Sequence, residues 1–347
     1  GALDADGIPG NIKNALPWTG TTVGTNMDGG NFTITHLYGT TGLLSEAVDL
    51  RNLTLAEGLV DATGQTNAQV GAFASTSSDT NAVFVNLTNQ SVAVFGSGDS
   101  SNGYAGGIAG SSVGTPSFVN CTNRAPVSSA HWTGGILGGM KGLPDTVAPQ
   151  FYLCSNEADI DVSSTAYSIG GGIAGSAYKG DMEACSNTGA ISAAGDCAGL
   201  VVSEPALTGR NCYNAGAVSG ATYSNDQFGG GTYQDSYYNS AFAAPTLGGG
   251  TPKSSDEMKD AAFAADLDRV LVQSTTEVAG IKLARYQWMY DSTVNSGYPH
   301  IAERPIANWG DAGAAQDEAK LRLTYWDNAT SAWMLAANAS AVPSGMA

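Results

Sequence analysis

Basic residues are scarce. Lys and Arg total 14 against 31 Asp and Glu, giving a formal charge of −17 over 347 residues. That balance argues against nucleic acid and anionic membrane as partners, since both are held by clustered cations. Charge of either sign is thin, at 13% of residues, about half the ~25% usual in globular chains. Histidine occurs only at His36, His131 and His300, in three unrelated contexts, and no H-E-x-x-H is present. No run approaches the ~18 apolar residues of a membrane span, so no membrane insertion is expected. The five cysteines form no C-x-x-C, which removes the usual zinc signature. Walker and dinucleotide motifs are missing too. Gly1 opens the chain with neither Met nor a signal sequence, so a trimmed piece of something longer is expected.

Glycine, by contrast, is plentiful at 46 residues, and hydrophobic residues make up 42%, ample for a core. Much of this material is repeated. Cys121-Thr-Asn-Arg-Ala-Pro-Val127, Cys154-Ser-Asn-Glu-Ala-Asp-Ile160, Cys185-Ser-Asn-Thr-Gly-Ala-Ile191 and Cys212-Tyr-Asn-Ala-Gly-Ala-Val218 share the pattern C-x-N-x-x-x-[VI]. Weaker copies begin at Leu53, Leu87 and Tyr237. A second motif alternates with the first: Gly106-Gly-Ile-Ala-Gly110, Gly134-Gly-Ile-Leu-Gly138 and Gly171-Gly-Ile-Ala-Gly175. Lead residues recur every 25 to 34 positions. Helical repeats of that period need two amphipathic helices per unit, but these units are rich in Gly, Ser, Thr and Asn, which helices disfavour. Their short β-branched clusters between glycines read as strands. The expected fold is all-β, a parallel β-helix of roughly seven to nine coils.

In such a stack, alignment columns become ladders about 4.8 Å per step. Cys121, Cys154, Cys185 and Cys212 fall in an inward column and read as buried free thiols. Asn89, Asn123, Asn156, Asn187, Asn214 and Asn239 form a second ladder, each amide donating to one coil and accepting from the other. Leu59, Ala93, Val127, Ile160, Ile191 and Val218 form a further inward stripe, and the paired glycines are read as corners or positive-φ positions. The register also places Arg124 beside Glu157, and Arg210 between Glu183 and Asp235.

Three regions are expected: a solenoid over 1–250, a capping helix and closing segment over 251–304, and a tail over 305–347. Ser254-Ser-Asp-Glu257 is a capping box opening a helix over about 255–270, and aromatics at 286–300 complete a C-terminal cap over the last coil.

The coupled motifs resemble GLUG-motif repeats of large bacterial surface proteins, including adhesins and the non-catalytic regions of IgA-specific metallopeptidases. Met27-Asp-Gly-Gly-Asn-Phe-Thr-Ile34 and the closing Gly297-Tyr-Pro299 resemble the ends of such domains, and the match covers about residues 15–302. The second motif decays at Cys197-Ala-Gly199 and Phe228-Gly-Gly-Gly231. The resemblance implies an extracellular, cell-surface or secreted β-solenoid with no defined reaction.

A non-enzymatic, monomeric, adhesin-like module with a host glycan or extracellular protein as partner is the leading expectation. Its candidate ligand contacts are Tyr104, Trp132, Tyr152, Tyr167 and Tyr178, near the repeat loops. A polysaccharide lyase or hydrolase is the alternative, with Glu157, Asp159 and Asp161 on one strand face as its acids. A passive stalk is the third reading. Gly110-Ser-Ser112-Val-Gly114 matches G-x-S-x-G, but a corner between strands is not a nucleophile elbow. No cofactor is indicated. Calcium would need surface acids, and Asp4-Ala-Asp6-Gly lacks the other EF-hand positions.

Overall fold

In a computed structural model, the described residues are 21–22, 26–98, 103–141, 148–162, 168–220, 225–242, 249–302, 324–327 and 332–335. Parallel strands dominate. They form sheets of 19, seven and six strands that wind as a β-solenoid. One turn runs from Ser117–Val119 and Thr122–Asn123 on the first face to Val127–Ser128 on the second. It continues through Trp132–Gly134 on the third face and Leu137–Met140, which rejoins the large sheet.

About five turns are complete, fewer than the seven to nine coils expected. The turn opened by Asn26–Thr35 has no strand on the third face among the described residues. Among the described residues, the turn containing Tyr213–Asn214 has no closing strand before Thr232–Gln234. Lead positions can be counted along the chain, but a coil needs all of its sides.

The inward columns explain the composition. Phe84, Phe118 and Phe151 stack with centroids 4.7 and 5.3 Å apart. Beside them Cys121, Cys154 and Cys185 are buried and free, and their thiols donate at 3.4 Å to the carbonyls of Phe84, Phe118 and Phe151 on the preceding coil. Cys212 donates to Arg210 O at 3.2 Å. Burial pushes the thiols of Cys121 and Cys185 well up and that of Cys197 up to about 12.

The asparagine ladder runs through the interior. Asn89 donates to Asn123, Asn123 to Asn156, Asn156 to Asn187 and Asn187 to Asn214, at 2.8–3.0 Å. The same amides also donate to Val92 O, Ala125 O, Ala158 O and Gly189 O, so both amide hydrogens are used. This ladder is why the two motifs travel together. A Cβ on Gly107 would lie 2.5 Å from Asn123 Oδ1, and one on Gly135 would lie 2.5 Å from Asn156 Oδ1. The glycines therefore serve close approach to the ladder. Gly107 and Gly135 are not positive-φ residues, which corrects the positive-φ alternative for the pair.

Positive φ falls instead one residue before each of the first six lead positions, at Asn52, Asn86, Asn120, Leu153, Ala184 and Asn211, and two before Tyr237, at Asp235, with φ of 48–60°. Asparagine is among the few residues that adopt this region readily. Three of these make an outer ladder: Asn120 donates to Asn86 at 2.9 Å, Asn86 to Asn52 at 2.7 Å, and Asn52 to Asp28 at 3.0 Å.

Two columns need correction. Val60 pairs with Val94 and Val94 with Val127, so the inward stripe begins Val60–Val94, one residue beyond Leu59 and Ala93. In the last turn Tyr213 pairs with Tyr237 and Asn214 with Tyr238. Asn239 therefore stands outside the ladder, accepting from Ala241 N instead, and Asn214 donates to Gln227 Oε1 at 2.8 Å. Arg210 pairs with Gln234, not with Asp235.

The expected helix is two helices, α1 (Ser255–Met258) and α2 (Ala261–Val272). The capping box forms at Ser254 and Glu257, and Asp260 caps α2 by accepting from Ala262 N. Hydrogen bonds from Ser254 hold the Glu257 carboxyl below the usual range. Phe263, Leu267 and Leu271 recur on one side of α2 and are buried. They join a second core with Val85, Val119, Tyr152, Leu153, Ala184 and Tyr213, which point outward from the first face. The segment thus lies along the flank of the solenoid, where a cap over the last coil was expected. Asn211 Nδ2 donates to Leu267 O at 2.9 Å, and Thr188 Oγ1 donates to Asn295 Oδ1 at 2.7 Å. In the tail, Thr324–Asp327 and Ala332–Leu335 pair as an antiparallel hairpin.

Candidate ligand-binding face

Ligand contacts on a solenoid come from outward columns, and each column here has a distinct fate. On the third face Tyr104 pairs with Trp132, and their rings stack 4.6 Å apart. The His131 and Trp132 ring centroids lie 3.8 Å apart in an edge-on arrangement, and His131 is largely buried, which lowers its pKa. Burial, with Tyr178 nearby, pushes the Tyr104 phenol up. Tyr178 packs partly buried against the main core. Tyr152 is on the first face, in the second core under the C-terminal segment. Burial and the neighbouring Asp181 and Glu183 push its phenol up to about 12. Of the described candidates, Tyr104, Trp132 and Tyr178 thus lie near one another, while Tyr152 stands apart on the first face. Tyr167, Asp4 and Asp6 lie outside the described residues.

The three acids also separate. Glu157 follows the first-face strand Ser155–Asn156, while Asp161 lies within the second-face strand Ile160–Val162. The chain turns a corner between them, so they share no strand face, contrary to expectation. Glu157 Oε2 accepts from Arg124 Nε at 3.1 Å, and Asp159 Oδ1 accepts from Ala190 N at 2.9 Å. Asp161 pairs in register with Ser128 and Ser192. Ser112 is fully buried, which removes it from reach of any substrate.

Two openings remain along the first face, between the solenoid and its flanking segment. One is a groove of about 280 Å³. Its floor is the outer ladder, Asn86 and Asn120, with Thr88 and Thr122 beside it. Arg124 and Glu157 line it together with His300 and Ile301. The other is a cleft of about 520 Å³ that includes Tyr152, Glu183 and Arg210. Arg210 Nη2 donates to Glu183 Oε1 at 2.5 Å, the ion pair expected from the register. These openings were not legible as sites. The Asn before each lead residue was the available signal for the groove floor, while the wall comes from residues over a hundred positions away. Among the described residues no group of three or more His, Cys, Asp or Glu is placed to hold a metal ion. None of the described helices is long and apolar enough to cross a membrane.

No family model matches the chain, and no curated protein or solved structure matches it either. The resemblance to GLUG repeats therefore rests on the motifs alone.

Proposed function

We propose that the chain is a non-enzymatic, extracellular module of a bacterial surface protein, adhesin-like, that displays or binds a glycan or protein. The observation that carries this reading is the pair of polar openings along one face of an in-register stack. Stacked coils hold such side chains at fixed spacing, which lowers the ordering cost of binding. On this reading the GLUG-like motifs are scaffold: the glycines and asparagines maintain the stack, and ligand contacts come from outward residues that the motifs do not fix. Residues 251–302 act as a lateral cap that walls both openings.

The polysaccharide-cleaving alternative needs two acids flanking one bond. Glu157 is bound to Arg124 and Asp161 faces round a corner, which weighs against that trio. The test is a panel of host and plant polysaccharides, with calcium present and then chelated, alongside an array of glycans and matrix proteins. Retention on the array without new reducing ends or unsaturated uronides is expected. Product release abolished by replacing Glu157, Asp159 and Asp161 together would overturn the reading in favour of the enzyme. Absence of both retention and turnover would favour the passive stalk.

A further inference from the structure

The larger cleft is built as a grid. Asp181, Thr208 and Thr232 stack in one outward column, and Tyr152, Glu183, Arg210 and Gln234 in the next. Rows repeat at about 4.8 Å, and the columns lie two residues apart, about 6.8 Å. Gln273, Thr275 and Thr276, from the turn after α2, face the grid as an opposing wall. The space of about 520 Å³ lies within the range of small-ligand pockets.

The floor is fixed. Glu183 is only 6% exposed, and its carboxylate accepts from Arg210 Nη2 and, at 3.2 Å, from Thr276 Oγ1. Arg210 Nη2 also reaches Ser274 Oγ at 3.5 Å. An ion pair that merely anchored the flank would need only those groups. Around it stand groups with no hydrogen-bond partner among the described residues: the Tyr152 hydroxyl, the side-chain amides of Gln234 and Gln273, and the remaining N–H groups of Arg210. Asp181 is exposed and accepts one bond, from Thr208 Oγ1 at 2.6 Å, leaving further acceptor sites.

We propose that this cleft binds one neutral sugar ring of a glycan. The proposal rests on the binding-module reading and gives it a site. Sugar hydroxyls both donate and accept, which matches interleaved donors (Arg210, Tyr152, Gln234) and acceptors (Asp181, Gln234). The charges of Asp181, Glu183 and Arg210 leave the cleft with one net negative charge, so an acidic sugar meets an unneutralised carboxylate. A cationic ligand meets the Arg210 guanidinium at the floor.

The test is titration of the full chain with galactose, glucose, mannose, fucose and N-acetylglucosamine, and with glucuronic and N-acetylneuraminic acids, followed by ligand-observed NMR. Asp181→Ala and Gln234→Ala remove exposed groups outside the cores, and Asp161→Ala on the second face is the control. Binding of at least one neutral sugar, weakened about tenfold or more by each cleft variant and unchanged in the control, is expected. No neutral sugar bound, acidic sugars alone bound, or binding indifferent to both cleft variants would overturn the proposal. Array retention that persists in the double variant tells against this cleft alone. Failure of the unaltered chain to be retained tells against the module reading itself.

Discussion

Two asparagine columns run along the same solenoid and do different work. The inner one, Asn89 to Asn214, is fully buried, and its amide hydrogens are committed to the next coil, to a local carbonyl or, at Asn214, to Gln227 Oε1. The outer one, Asn52 to Asn120, borders the groove through the part-exposed Asn86 and Asn120 and holds a left-handed backbone turn. Inside, a lost partner cannot be replaced by water, so an orphaned amide bears its whole desolvation penalty. Outside, water substitutes, and what asparagine contributes is chiefly its tolerance of positive φ. Identical residues at identical spacing therefore stabilise by different physics.

The largest effect is expected at the glycines that face the inner column. In Gly135→Ala the new Cβ would meet Gly172 O at 2.2 Å and the Asn156 side chain at 2.4 Å. A loss of about 4 kcal/mol, or no folded protein, is expected by chemical denaturation. Next comes Asn156→Ala, which leaves one amide hydrogen of Asn123 without an acceptor, and Asn187 Oδ1 and Ala158 O without their Asn156 donor. About 3 kcal/mol is expected in the same assay. Cys154→Ala removes a buried sulfur and its bond to Phe118 O, for about 1–2 kcal/mol. In the unaltered protein all five thiols should stay silent to a thiol reagent until the chain unfolds, because all are buried. The smallest change, about 1 kcal/mol, is expected for Asn86→Ala, where two part-buried bonds that water can replace and a favourable left-handed residue are lost. A larger loss at Asn86 than at Asn156 would collapse the distinction between the columns.

The same contrast marks what could be read beforehand. Inward columns obey a strict rule, since a wrong residue there leaves a void or an orphan, and so Cys121–Cys212 and Asn89–Asn214 are visible as repeats. The rule fades where the stack ends. Tyr237-Tyr-Asn239 resembles Cys212-Tyr-Asn214 as text, but Tyr237 pairs with Tyr213, and Ser236 Oγ accepts from Cys212 N. The left-handed residue marks the true step: Asn211 is followed one turn later by Asp235, an interval of 24 residues that the aromatic pair disguises. The break between α1 and α2 follows from Asp260, which caps a new helix within an otherwise continuous apolar period. Where the C-terminal segment lies was not legible at all. Outward Val85, Val119 and Tyr213 are unremarkable in the repeat alignment, and only the fold shows that they share a core with the C-terminal segment. For the same reason both openings were missed, since their walls depend on that docking.

The distinction between the columns is tested most directly by paired double-mutant cycles, one on Asn156 and Asn187 and one on Asn86 and Asn120, each residue changed to Ala. The inner pair should show a coupling of about 1 kcal/mol or more, because the double variant removes both orphaned groups at once. The outer pair should be additive within about 0.5 kcal/mol. Equal couplings, or a stronger one outside, would contradict the account.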